Sequence, residues 1–238
     1  TSDVIKVMPG TYQSLEACFF DSVLFLNHGD FFKLHPLPSI MQQSPLFGLG
    51  VGYFNGDGNE DLVASQNFFD VNPLDSRQDA GNGMLLTGNG EGEFMPVDPV
   101  TSGILLQGEG RGLAVADFNK DGRPDFAASA FRGRTQLYEN VAGKPGVGVR
   151  LRGRGGNPHA IGARVRLIYE NGRRGPAREW HLGEGYWSQN ASRQILGRQD
   201  FMIGLEVRWP DGVIQEVFSD DSKREWLIQK DPDLNTER

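Results

Sequence analysis

Apolar residues in the first 145 positions come in short runs broken by glycine, asparagine and aspartate. "GLAVADF" (112–118) and "DFAASAF" (125–131) flank one polar loop. "LFLNHGDFFKLHPLP" from Leu24 and "LLTGNGEGEFMPVDP" from Leu85 each give a strand-like run, a glycine turn, a phenylalanine and a closing proline. Runs this short, with turn residues at both ends and no helical period, predict strands. Further along the alternation is stricter. Val149 and Leu151 alternate with Arg150, Arg152 and Arg154, and Val165 and Leu167 with Arg164 and Arg166. That is the period-two pattern of half-buried strands, with one face toward a core and one face of arginine. The pattern predicts an all-β fold.

The loop between the first two runs, "DFNKDGRPDF", carries three aspartates and an asparagine on alternate positions. Carboxylates a few ångströms apart repel by about 1 to 4 kcal/mol unless a cation lies between them. Asp117, Asn119 and Asp121 fall at positions 1, 3 and 5 of a calcium loop, Arg123 at position 7 can lend its carbonyl, and Asp125 falls at position 9. Gly122 at position 6 allows the sharp turn. Position 12 is Ala128 rather than a glutamate, and the flanks are strand-like, which argues against an EF-hand.

The same device occurs earlier, in "YFNGDGNEDLVAS" from Tyr53, where Gly58 and Gly122 lie 64 residues apart. Asn55, Asp57, the Asn59 carbonyl and Asp61 supply that loop, but Tyr53 stands at position 1. With two formal charges, it is expected to bind calcium more weakly or to stay empty. The alternative for both loops is a set of solvated Asx turns that need no ion. Repetition at this period is the signature of repeat architectures and propellers.

Composition agrees. The chain has 238 residues and 32 glycines, nearly twice the usual share of about 7%. No apolar stretch approaches the roughly 18 residues of a membrane span, and "TSDVIKVMPG" lacks the form of a signal peptide, so the sequence is expected to start within a longer chain or after processing. The single cysteine, Cys18, is expected to be a buried structural thiol. Residues 1–145 hold 9 Lys+Arg against 18 Asp+Glu, whereas 146–238 hold 15 against 13. This shift, with the linker-like "GKPGVG" at 143–148, divides the chain into 1–145 and 146–238.

The two aspartate loops with their strands resemble FG-GAP repeats of the VCBS kind, the calcium-loop blades of integrin α-chain propellers. "VRLRGRGGNPHAIGARVRLIY", "HLGEGYWSQN" and "LEVRWPDGVIQEV" resemble, in order and spacing, the ASPIC/UnbV domain. The pairing is similar to the end of cartilage-acidic-protein-like chains. The resemblance implies partial β-propeller blades followed by a small β-rich ASPIC/UnbV domain, structural Ca2+ in the loops, and an extracytoplasmic place: secreted, periplasmic or at the cell surface. It implies no particular reaction. At this period residues 1–145 give about two units and a part, too few to close a propeller of about 4 to 8 blades. Upstream blades, the C-terminal domain or a second copy of the chain are the candidates to cover the open edges.

From Arg150 to Arg208 there are 11 arginines against 5 acidic residues. This face is suited to an anionic polymer, to docking on the acidic half, or only to water. Nucleic acid is not expected, since the net charge is -7 and no binding motif accompanies the arginines. Tyr186 and Trp187 in "GEGYWSQN" are candidates for stacking on a sugar, with one of the pair expected to face the core. Trp209 reads as a buried anchor at a strand end, and Asn190 begins a glycosylation sequon. The polar stretch 67–84, with Arg77 and Asp79, is the first place to look for a ligand groove.

His28, His35, His159 and His181 are scattered, with His159 expected to stabilise its glycine-rich loop by a hydrogen bond. No metalloprotease, nucleophile-elbow, P-loop or dinucleotide motif appears. The leading expectation is a noncatalytic recognition or adhesion module with an unknown protein or glycan ligand. The alternatives are a polysaccharide-acting enzyme or its subunit, with Asp75, Asp79 and the Tyr186 region forming a cleft, and a purely structural propeller cap.

Overall fold

A computed structural model describes Glu16 and residues 18–199, 201–219 and 222–232. The apolar runs of the first half form antiparallel strands. β1 (Val23–Asn27) and β2 (Phe32–Pro36) make a hairpin; β3 (Leu46–Gly52), β4 (Asp61–Gln66), β5 (Met84–Gly88) and β6 (Phe94–Pro96) make a four-stranded sheet in chain order; β7 (Glu109–Ala116), β8 (Asp125–Phe131) and β9 (Gln136–Tyr138) make a three-stranded one. These are up-and-down sheets of blade form, and among the described residues no barrel closes. The stretch before Leu24 lies largely outside the described residues.

The repeat is visible in the hydrogen bonds. The Gly48 N–H donates to Ser65 Oγ at 3.1 Å, and the Gly112 N–H, 64 residues on, donates to Ser129 Oγ at 2.9 Å. Glycine lets neighbouring blades touch: a Cβ on Gly48 would lie 2.7 Å from the Arg111 carbonyl oxygen, and one on Gly50 would lie 2.5 Å from Leu113 Cδ2. β3 therefore lies against β7 only because those side chains are missing. Phe54, Val63, Leu113, Phe126 and Ala128 fill the space between the blades, and Met41, Leu62, Ala64, Met84 and Leu86 fill the outer side of the four-stranded one.

The second half contains two sheets. β10 (Val147–Arg152) pairs antiparallel with β13 (Arg193–Leu196) and parallel with β16 (Glu225–Gln229). The other sheet runs in the order β12 (Arg178–Glu179), β11 (Arg164–Tyr169), β14 (Met202–Arg208), β15 (Ile214–Phe218), all antiparallel. The expected alternation holds: Val149, Leu151, Val165 and Leu167 are buried while Arg150, Arg152 and Arg164 are exposed. Buried side chains of both sheets form one cluster, in which Trp180, Trp209, Trp226 and Tyr169 are joined by Tyr53 from the first half. Rings of this kind each remove about 150–250 Å² from water, so they dominate this core. Trp209 is 1% exposed and donates its indole N–H to Gln215 Oε1 at 2.9 Å, as its place at a strand end leads one to expect.

Three expectations are corrected. Cys18 is exposed, not a buried thiol, because it lies ahead of β1 and outside the sheets of the described residues. His159 is exposed with no hydrogen bond among the described residues; Asn157 secures the loop instead, through the Ile161 N–H and carbonyl. Tyr186 and Trp187 lie in a turn rather than a strand, so alternation does not apply. Trp187 has φ 51 and is 90% exposed, while Tyr186 packs edge-on to Phe47 at 5.3 Å.

Candidate functional site

The aspartate loops connect β3 to β4 and β7 to β8, so each starts and ends on paired strands that fix its mouth. In the second loop every carboxylate already has partners. Asp117 Oδ1 accepts the Asp121 N–H at 3.1 Å, and Oδ2 accepts the Gly122 N–H at 2.9 Å and the Arg193 guanidinium at 2.7 Å. Asp121 takes the Arg123 N–H at 2.9 Å and the Arg123 guanidinium at 2.5 Å. Asp125 takes the N–H groups of Phe118 at 3.2 Å and Asn140 at 2.8 Å. Asn119 accepts from the Asp121 N–H at 3.0 Å and donates to Asp121 and Glu139, both at 2.9 Å. Gly122 has φ 84, as the turn requires.

The first loop repeats the turn with less charge. Asn55 Oδ1 accepts the Asp57 N–H at 2.9 Å, Asp57 Oδ1 the Asn59 N–H at 2.7 Å, and Asp61 the N–H groups of Asn55 at 3.0 Å and Gly88 at 3.1 Å. These are Asx turns closed by local N–H groups. Tyr53 contributes nothing to the loop's oxygens: it is 3% exposed and packs in the C-terminal core, where a Cβ on Gly197 would lie 2.5 Å from its ring.

Electrostatics separates the carboxylates. Burial pushes Asp61 up to about 6, with the N–H groups of Asn55 and Gly88 opposing and the Asp57 charge adding. Burial also raises Asp125; two N–H groups oppose it, and the charges of Asp121 and Asp117 push further the same way. Burial would raise Asp121 as well, but the Arg123 N–H, the Asn119 amide and the Arg123 guanidinium outweigh it and hold that carboxyl low.

The donor chemistry of the second loop, three carboxylates, an amide oxygen and a carbonyl, fits a hard cation, and the raised Asp125 is a buried charge lacking full compensation. Asp117, Asn119, Asp121, Asp125 and the Arg123 carbonyl would hold it. Such an ion would supply charge that the two arginines supply only in part. Among the described residues, no three His, Cys, Asp or Glu side chains already stand together as a metal cage. The first loop, with Tyr53 turned away, fits less well.

Both loops face the second half of the chain. Besides Arg193, Arg178 from β12 pairs with Glu60 at 2.8 Å and donates to the Val51 carbonyl at 3.1 Å. Gln199 donates to Asn59 Oδ1 at 3.0 Å, Asn190 Oδ1 accepts the Val115 N–H at 2.8 Å, and the Gly146 N–H reaches the Gly122 carbonyl at 2.8 Å. Arg193 also pairs with Glu225; the carboxylates of Glu225 and Asp117 hold it firmly charged. Asn140 ties the loops to each other, donating to the Phe54 carbonyl at 2.7 Å while its own N–H serves Asp125. Sequence reasoning raised docking on the acidic half as one role for the arginines but did not single out Arg178 and Arg193. It missed Asn140, Glu60 and Gln199, whose only signal is position after a loop or strand. The Asn190 amide, the sequon's attachment atom, donates to Glu184 at 2.5 Å.

The other candidates lie apart. Arg77 lines a cavity of about 840 Å³ beneath the 67–84 stretch, with its guanidinium over the Phe69 ring and 3.7 Å from Asp79. Neither Asp75, Tyr186 nor Trp187 lines that cavity.

An FG-GAP-like repeat matches residues 53–128, which include both aspartate loops, and the ASPIC and UnbV family matches residues 153–234, which include Arg178, Arg193 and Gln199. No curated protein matches the chain. Among the described residues no helix is long and apolar enough to cross a membrane. The chain thus carries an FG-GAP-like repeat followed by an ASPIC and UnbV domain, and the two meet at the aspartate loops.

Proposed function

We propose that the chain is a noncatalytic, extracytoplasmic recognition or adhesion module, divided after Pro145, with structural calcium in the Asp117–Asp125 loop. The two matched domains fit a module of that type. The observation that carries the reading is the Arg193 bridge from β13 to Asp117, a side chain with 0% exposure at the head of the calcium-type loop. Charge placed there serves the join between blades and C-terminal domain rather than an open cleft where a substrate would enter. Calcium at this loop would hold the join rigid, leaving the long loops and outer faces for a protein or glycan partner. Open blade edges would be covered by upstream blades, a partner or self-association.

Thermal melts with EDTA and with millimolar calcium test the structural half: calcium should raise the melting temperature, and Asp121→Ala should abolish the rise. Screening the intact chain on a glycan array and against extracellular matrix proteins tests the recognition half. Turnover of any glycan in that screen would overturn the noncatalytic reading.

A further inference from the structure

Residues 1–145 carry twice as many acidic as basic side chains, yet four of their five arginines gather at one place. Arg77, Arg132 and Arg134 line the cavity between the 67–84 stretch and the turn joining β8 to β9, and Arg111 stands behind it. Two carboxylates share the lining. Glu109 is 5% exposed and already committed: its oxygen takes the Phe69 N–H at 2.6 Å and the Arg111 guanidinium at 3.0 Å. Burial opposes its charge, but the Phe69 N–H and Arg111 prevail and hold the carboxyl below its usual range. Asp70 is the other. Arg132 and Arg134 make no ion pair among the described residues, and Arg77 meets Asp79 only at 3.7 Å with both side chains more than half exposed.

The cations are also presented on rings. Arg77 lies 4.0 Å from the Phe69 centroid, and Arg132 lies 5.1 Å from that of Phe131. A guanidinium over an aromatic face gains attraction from the ring while its N–H groups can still meet a planar, two-oxygen anion. Arg132 holds φ 55, a left-handed conformation that costs a residue with a Cβ, and Gly133 beside it would adopt it freely.

We propose that this cavity binds the carboxylates of an acidic, uronate-bearing oligosaccharide. Arg132 and Arg134 would grip carboxylates as bidentate partners, and the exposed Phe131 ring, with Thr135 and Gln136, would meet sugar faces and hydroxyls. A volume of about 840 Å³ suits a few sugar rings. Three arginines beside the half-exposed Phe131 ring, which a flat sugar face can cover, favour this over an acidic peptide. The inference rests on the recognition reading and names its ligand class.

Calorimetric titration of the full chain with oligogalacturonate, its fully methyl-esterified form and oligoglutamate of equal charge tests it. Oligogalacturonate should bind, weaken as salt rises, and lose at least tenfold in affinity in Arg132→Gly and in Arg134→Gln; the ester should not bind. Arg132→Gly should melt no lower than the parent, which separates a lost contact from a damaged fold. No binding of oligogalacturonate, equal binding of oligoglutamate, or affinity unchanged in both variants would overturn the proposal. An array ligand that survives both substitutions overturns this site alone and leaves the recognition reading standing; an array blank for glycans and proteins overturns that reading too.

Discussion

The two aspartate loops share a turn and differ at its first residue. Asp117 keeps its carboxylate in the loop and receives Arg193 from the C-terminal domain; Tyr53 turns its ring out of the loop and into that domain's core. Each loop is therefore fastened to the same neighbour: position 1 holds by charge in one and by burial in the other, and the Arg178–Glu60 ion pair and the Gln199 bond to Asn59 reinforce the second kind. The difference teaches that position 1 serves docking in two ways in this chain: through a carboxylate that takes an arginine, or through a ring that enters the neighbouring core. The aromatic version replaces the ion pair to Arg193 with apolar contact, which salt does not screen.

The largest expected effect breaks the apolar fastening. Tyr53→Ala should cost about 3–5 kcal/mol in urea unfolding, because it empties a well-packed site beside Gly197; a cost under about 1 kcal/mol would mean that the ring does not anchor the loop. Arg193→Ala comes next, at about 2 kcal/mol, since it leaves Asp117 buried without its cation while Glu225 stays largely in water. Millimolar calcium should restore part of that loss, and restoration in a second variant lacking Asp121 would contradict the comparison. Asp121→Ala should remove the calcium increment, about 1.4 kcal/mol for a Kd near 0.1 mM, and the same assay on Asp57→Ala should show no comparable change. Gln199→Ala, which removes one exposed hydrogen bond to Asn59, should cost about 0.5 kcal/mol.

Much of this was legible in the sequence because it is local. The spacing of Asp117, Asn119, Asp121 and Asp125 fixes a turn within nine residues, and the 64-residue repeat carries its strands with it. The alternation of Val165 and Leu167 with arginine placed the buried face of β11 correctly. What was not legible depends on contacts across long separations. Arg193 meets Asp117 across 76 positions, and no pattern in either segment marks the pair. Tyr53 showed in the sequence as a departure from the loop's pattern, but only the C-terminal core shows where the ring goes. Trp187 was misplaced for another reason: glycines at 183 and 185, both with positive φ, bend the segment into a turn, so strand alternation was the wrong period to apply.

The most direct measurement is a calcium titration of the purified chain by isothermal calorimetry, alongside Asp121→Ala. One calcium bound per chain, lost in the variant, is the expected result: the Asp117 loop holds an ion and the Tyr53 loop does not. Two ions would show that Tyr53 leaves its loop competent after all. None would show that arginine and backbone N–H groups already satisfy both loops, and would contradict a structural calcium at the join.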